Sequence, residues 1–311
     1  MESAVEERAP EGAQSGNGPP GKERRSPAAF VASTFRRSPA LVIGATIVLV
    51  LSVLALFAPA ISPYDPFALD PSQRFLPPST DHWFGTDQLG RDLWTRSLYG
   101  ARVSLATAIS AVSVAAVIGV PLGLISGYFG KWPDALIMRY VDVQIAIPGI
   151  LLAMMIILLA GRGFVGLVIA IGIGSVPNFA RIVRASTLSI QEEEYVAAVK
   201  ALGAGHVYTM MRTILPNAMG PIIVQVVITA AVAVLLEAAL SFLGLGTVPP
   251  TPSWGDMLQQ GKGFMHQAPW YSIMPGVLLT ITVLSLDLMG RGMQKLRGSS
   301  ESASAELEGR A

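Results

Sequence analysis

The stretch Ser189–Pro216, SIQEEEYVAAVKALGAGHVYTMMRTILP, decides how the rest of the chain is read. It is polar at its start, periodic in its middle and flanked by apolar blocks. Ser189 and Glu192 have the S-x-x-E spacing of a capping box, which predicts a helix start. Glu192, Glu193 and Glu194 then fall in the first turn, where the helix dipole favours negative charge. Tyr195, Val196, Val199 and Leu202 share one helical face. Gly203 is placed to end that helix in the left-handed conformation. A second short helix is expected over His206–Leu215, with Pro216 stopping it and occupying the first turn of the next apolar helix. The pattern predicts two short helices joined by a turn, carrying an apolar face with no bilayer core to bury it in. That face could lie on a lipid surface or in a groove on a soluble partner. Three consecutive glutamates favour the groove, because the inner leaflet is anionic and repels that end.

Outward from this segment the composition is that of a membrane protein. The chain of 311 residues is 51% hydrophobic and 14% charged, with a mean hydropathy of +0.52. Soluble domains carry about 25% charge. The apolar residues come in blocks near the ~20 residues that cross ~30 Å of hydrocarbon as a helix. Six spans are expected, over 40–61, 103–129, 141–160, 164–179, 217–243 and 271–289. The fold class is therefore an all-α membrane bundle of six transmembrane helices. Ala58-Pro59-Ala60 could be read as a signal-peptidase site, but the apolar stretch before it exceeds a usual signal core, so an uncleaved anchor fits better. Residues 1–30 and 298–311 are Glu-, Gly-, Ser- and Arg-rich and read as disordered tails. Between them lie an N-terminal helix within 31–61, an external loop over 62–102 that is rich in proline, and a core domain over 103–297.

The basic residues orient the bundle. With a cytoplasmic N-terminus, sixteen Lys and Arg lie inside and six outside, so the positive-inside rule places both termini in the cytoplasm. The loop around Asp87 then faces outward and 181–216 inward. Trp132, Trp254, Trp270 and Tyr271 fall near span ends, where interfacial aromatics belong. Gly119, Gly123 and Gly127 make a flat helix face, for packing within this chain or against a second subunit.

Other residues carry less. Cysteine is absent, which excludes disulfides and thiolate chemistry. His82, His206 and His266 lack metal-ligand spacing, and the methionines, Met154, Met155, Met210 and Met211 among them, read as packing. No metal site and no cofactor is expected, and the net charge of +1 gives no reason to expect nucleic acid. No G-x-x-x-x-G-K-[ST] occurs, so no phosphate-cradling loop is present. Glu237 and Asp287 lie near span ends within apolar segments, where an ionised group is either functional or hydrated and structural. Asp87, Arg91 and Asp92, with Arg96 nearby, are candidates for contact with an external partner, or else form a local ion-pair cluster.

The run Glu194–Gly203, continuing to Ile214-Leu215-Pro216-Asn217, resembles the "EAA" loop of ABC-importer permeases. Ala198, Gly203, Leu215 and Pro216 match that loop, while Ala197, Val199 and Thr213 stand where the family has Glu, Ala and Ile. Phe84–Asp92 with Tyr99–Arg102, and Glu237–Gly246 with Pro250–Gly255, resemble segments of the "C" subunits of dipeptide and oligopeptide importers. Near the end, Gly290-Arg291 replaces Gly-Asp and Asp287 replaces Asn.

The resemblance, over about 30–297, implies a type I ABC-importer permease core with an extra N-terminal span, in a bacterial cytoplasmic membrane. It implies that Glu194, Tyr195, Ala198, Leu202, Gly203, Leu215 and Pro216 form the segment coupled to an ATPase, within 189–216. It also implies partners: a second related permease, two ATPase subunits or domains, and an external substrate-binding protein. The chain itself is then a non-catalytic transport subunit. Peptides are the expected cargo. Nickel or glutathione import, or a scaffold without transport, are the alternatives.

Overall fold

A computed structural model describes residues 38–308, with side chains to Leu296. The expected tail over 1–30 lies outside the described residues. The helices are α1 (Pro39–Leu56), α2 (Ala58–Ile61), α3 (Leu93–Phe129), α4 (Lys131–Ala146), α5 (Gly149–Ala160), α6 (Phe164–Gln191), α7 (Glu194–Ala201), α8 (His206–Tyr208), α9 (Leu215–Phe242), α10 (Trp254–Gly261) and α11 (Trp270–Glu308). Extended pairing among the described residues is limited to one isolated bridge, Thr86 with Asp92. Helix α11 continues past the boundary expected at 297.

Among the described residues, five helical stretches are long and apolar enough to cross a membrane, and a bent pair, counted as one span, brings the number to six. That pair, α4 and α5, corrects the uninterrupted span expected over 141–160. The helices meet at 96° across Ile147-Pro148. A proline ring disfavours helical backbone in the residue before it, and Ile147 is extended (φ −86°, ψ 126°). Gln144, just before the break, donates to the Ile173 carbonyl at 2.6 Å and pins α4 to α6.

The core forms where α3 and α6 lie against each other. A Cβ added to Gly119, Gly123 or Gly127 would fall 2.6 Å from Phe179 Cβ, 2.7 Å from Val183 Cβ and 2.6 Å from Thr187 Cβ, respectively. Glycines every fourth residue on α3 thus receive side chains every fourth residue on α6, a ridge entering a groove. Of the two readings of this glycine row, packing within the chain is the one observed. Phe179, Ile171, Leu167, Ile214 and Val234 are buried around this seam. Helix α1 packs along α11 and turns Leu49, Val50, Val53 and Leu56 outward, as a lipid-facing helix does.

Helix α3 begins at Leu93, ten residues earlier than the span expected from 103, because Asp92 caps it by accepting from Thr95 N at 2.7 Å. Above the bundle, Trp254 of α10 is buried and donates through Nε1 to the Ser97 carbonyl at 3.1 Å. Glu237 is fully buried, which removes the hydrated one of its two expected roles: its carboxylate accepts from Ser104 Oγ at 2.7 Å and Ser241 Oγ at 2.8 Å. That carboxylate ties α3 to α9. Asp287 is half-exposed and pairs with Arg291 one turn on, at 2.7 Å.

Candidate coupling site

Helix α6 runs to Gln191 and absorbs Ser189, so the expected capping box does not form. Glu192 ends α6 and Glu193 is the N-cap of α7, leaving Glu194 alone in the first turn. The polar triad is a hinge between two helices rather than one helix start. Helix α7 then closes as expected. Gly203 has φ +84°, its N–H donates to the Lys200 carbonyl at 3.0 Å, and Ala204 N–H donates to the Val199 carbonyl at 3.3 Å. These are the two bonds of a Schellman turn, which needs the left-handed residue that glycine supplies without strain.

The chain enters α9 differently from expectation. Pro216 does not stop the second helix. Residues Thr209–Ile214 widen into a π-helical turn that passes directly into α9. A proline inside a helix lacks an N–H and crowds the carbonyl four residues back, and a widened turn relieves both. Asn217 Nδ2 donates to the Thr213 carbonyl at 2.7 Å, supplying one partner through its side chain.

One face of α7 is fixed to the bundle. Val196 is completely buried, and Lys200 Nζ lies 5.1 Å over the Tyr128 ring and donates to Gln191 Oε1 at 3.4 Å, while Gln191, the last residue of α6, donates through Nε2 to the Gly127 carbonyl at 2.7 Å. Tyr128 in turn bonds His206 through its hydroxyl at 3.0 Å. The end of α3 therefore clamps both sides of the turn. The expected apolar face is split by this arrangement: Val196 points in, while Tyr195, Ala198 and Leu202 form a second, exposed stripe. Leu202 is 88% exposed and Tyr195 43%. Partial burial, and secondly the Glu193 carboxylate, raise the Tyr195 phenol pKa, which keeps it neutral. Val207, Tyr208 and Met211 extend the bare apolar surface past the turn. Of the remaining expected residues, Glu194 and Pro216 are exposed and Leu215 is half-buried. Val207, Tyr208 and Met211 were not among the expected residues.

The outer candidates resolve otherwise. Asp87, Arg91 and Asp92 are all buried, so their side chains are not presented to an external partner. Asp87 accepts from Arg91 Nε at 2.6 Å and faces Arg96 Nε at 3.7 Å. Asp92 also faces His82 Nδ1 at 2.9 Å. The local ion-pair reading is the observed one.

The family described as "Binding-protein-dependent transport system inner membrane component" matches residues 119–296. The N-terminal TM domain of oligopeptide transport permease C matches residues 26–78. The dipeptide transport system permease protein DppC of Alkalihalophilus pseudofirmus is 42% identical over 253 residues, covering 81% of this chain and 83% of that protein. A putative peptide transport system permease protein of Brucella suis is 39% identical over 270 residues (87% of this chain, 91% of that one). The glutathione transport system permease protein GsiD of Escherichia coli is 41% identical over 263 residues (84% and 86%). In fold, the chain resembles the MetNI methionine ABC transporter in an inward-facing conformation, with a TM-score of 0.55 and 23% identity, over 65% of this chain and 96% of that one. With more than half its length matched, the chain belongs to the family of inner-membrane components of binding-protein-dependent transport systems, among the dipeptide/oligopeptide permeases.

Proposed function

We propose that the chain is one of two related permease subunits in an importer of short peptides driven by two ATPase subunits or domains, and that α7 with its Gly203 turn is where one of these ATPases acts on it. The observation that carries this is a bare apolar stripe on a helix whose other face is held to the bundle through buried Val196 and through Lys200. A push on Leu202 or Tyr195 is transmitted through Val196, Gln191 and Tyr128 into α3 and α6, the two most closely packed spans. Burying one such side chain in a partner groove is worth ~1.5–3 kcal/mol. The chain has no phosphate-cradling motif, so ATP hydrolysis belongs to the partners. An external binding protein delivers cargo. Both termini lie in the cytoplasm, so Thr80→Cys, at an exposed position, reacts with an impermeant thiol reagent from outside. Reaction from the cytoplasmic side alone inverts the topology.

Glutathione import is the second reading, favoured by the 41% identity to the Escherichia coli glutathione permease. The test is reconstitution with the partner ATPases and binding protein in vesicles. The expected result is ATP-dependent uptake of a labelled dipeptide. Uptake of glutathione alone replaces the cargo, and uptake of nothing with intact ATP turnover overturns the reading.

A further inference from the structure

Helix α6 is the most enclosed span, and what it leaves uncovered is unlike the lipid-facing surface of α1. Its exposed residues from Gly174 onward are Gly174, Asn178, Arg181, Ala185, Leu188 and Ser189. Spacings of four, three, four and three place the first five in one strip about 80° wide. Arg181 Nη2 donates to Asp142 Oδ1 of α4 at 2.7 Å, and the two side chains are 50% and 58% exposed. Arg181 was expected in the cytoplasmic segment after a span ending at 179; α6 instead continues unbroken through it. The pair lies one turn beyond Asn178, which is about 21 Å along a helix of about 42 Å.

Polar and charged side chains within a spanning helix are found facing bundle interiors or water-filled cavities, not hydrocarbon. On α1 the outward residues are Leu49, Val50, Val53 and Leu56, which hydrocarbon accepts. The α6 strip has the opposite chemistry, and its charges come as a matched guanidinium and carboxylate.

We infer that Asn178, Arg181 and Asp142 line the water-filled translocation path and contact the charged ends of a zwitterionic peptide, an inference that rests on the peptide-import reading above. The peptide carboxylate replaces Asp142 on the guanidinium, and the peptide ammonium takes the released Asp142. Charge stays balanced through the exchange, so neither the path nor the cargo carries an uncompensated ion. A guanidinium suits this step because its planar fork accepts a carboxylate with two parallel bonds.

The test uses the assembled transporter in vesicles and the absence of native cysteine. Asn178→Cys and, as a lipid-facing control, Val50→Cys are treated with a charged, impermeant thiol reagent. The expected result is reaction of the Asn178→Cys variant, slowed by saturating dipeptide, and none of the control. In a transporter that still couples ATP to dipeptide uptake, an Asn178→Cys variant that is unreactive, or indifferent to dipeptide, overturns this inference and leaves the import reading standing. Loss of the import reading shows separately, as no dipeptide uptake by the unsubstituted transporter. Arg181→Gln is expected to lower uptake of a free-carboxylate dipeptide by roughly tenfold or more while sparing its C-terminal amide, the scale of one lost charge-assisted hydrogen bond. Equal loss for both cargoes assigns Arg181 to structure and contradicts the contact.

Discussion

The loop before α3 and the short helices before α9 both join spans, and they handle their side chains in opposite ways. The loop before α3 buries its charges. Asp87 is inaccessible, and Arg96 is 1% exposed yet satisfied in part by the Pro66 carbonyl at 3.0 Å. Gln260 of α10 joins the cluster, accepting from the Tyr271 hydroxyl at 2.9 Å. The inner segment leaves apolar groups in the open, with Leu202 at 88% exposure. A buried ionic cluster is complete by itself, because a charge removed from water must find its partner within the fold. A bare apolar stripe on a rigid helix is incomplete, since its favourable burial is still to be made. The contrast separates a part that completes its own contacts from a part whose apolar surface the proposed ATPase would cover.

The largest effect is expected on the outer side. Asp87→Ala leaves Arg91 and Arg96 buried without their carboxylate and removes acceptors from the Leu89 and Arg91 N–H groups. Breaking a buried pair this way costs ~3–5 kcal/mol. The expected outcome is a lower melting temperature of the purified chain and rapid proteolysis of the loop. An unchanged melting temperature would remove the basis for calling the cluster structural.

A smaller effect is expected at the inner turn. Gly203→Val forces a β-branched residue to φ +84°, at a cost of ~1–2 kcal/mol. Nothing lies within 4 Å of the position a Cβ would take, so the penalty is backbone strain and not collision. The spans should remain intact by circular dichroism while ATP hydrolysis loses its coupling to uptake. Gly203→Ala should do the same more weakly. Coupled transport by the valine variant would show that the turn's aim is irrelevant.

The legible parts of this fold are those set by local chemistry. The spans were readable from apolar run length, and Gly203 from its place after a periodic run. The glycine row on α3 was readable as a flat face, but not its partner, since Phe179, Val183 and Thr187 come from another span. Local signals misled where two rules competed. Ser189 and Glu192 have capping spacing, yet α6 had enough apolar contact with α3 to run through them. Pro216 looks like a stop, yet a π-turn absorbs it. Around Pro148 the reverse happened: the apolar run over 141–160 reads as one span, and the chain breaks within it at Ile147-Pro148. Burial of Asp87 and Arg91 was out of reach, because it depends on Gln260 and Tyr271, about 170 residues away in sequence.

The smallest expected effect on stability accompanies the most informative measurement. Leu202→Asp changes an exposed side chain with no fold contact to lose, so its effect on stability should stay within about 0.5 kcal/mol. At a partner groove the same change removes an apolar contact and buries an unpaired charge. The measurement is co-purification of the partner ATPases with this variant, beside its melting temperature. A melting temperature unchanged from wild type, with the ATPases released, is the predicted result; wild-type ATPase retention and uptake would contradict it and return the stripe to the lipid surface.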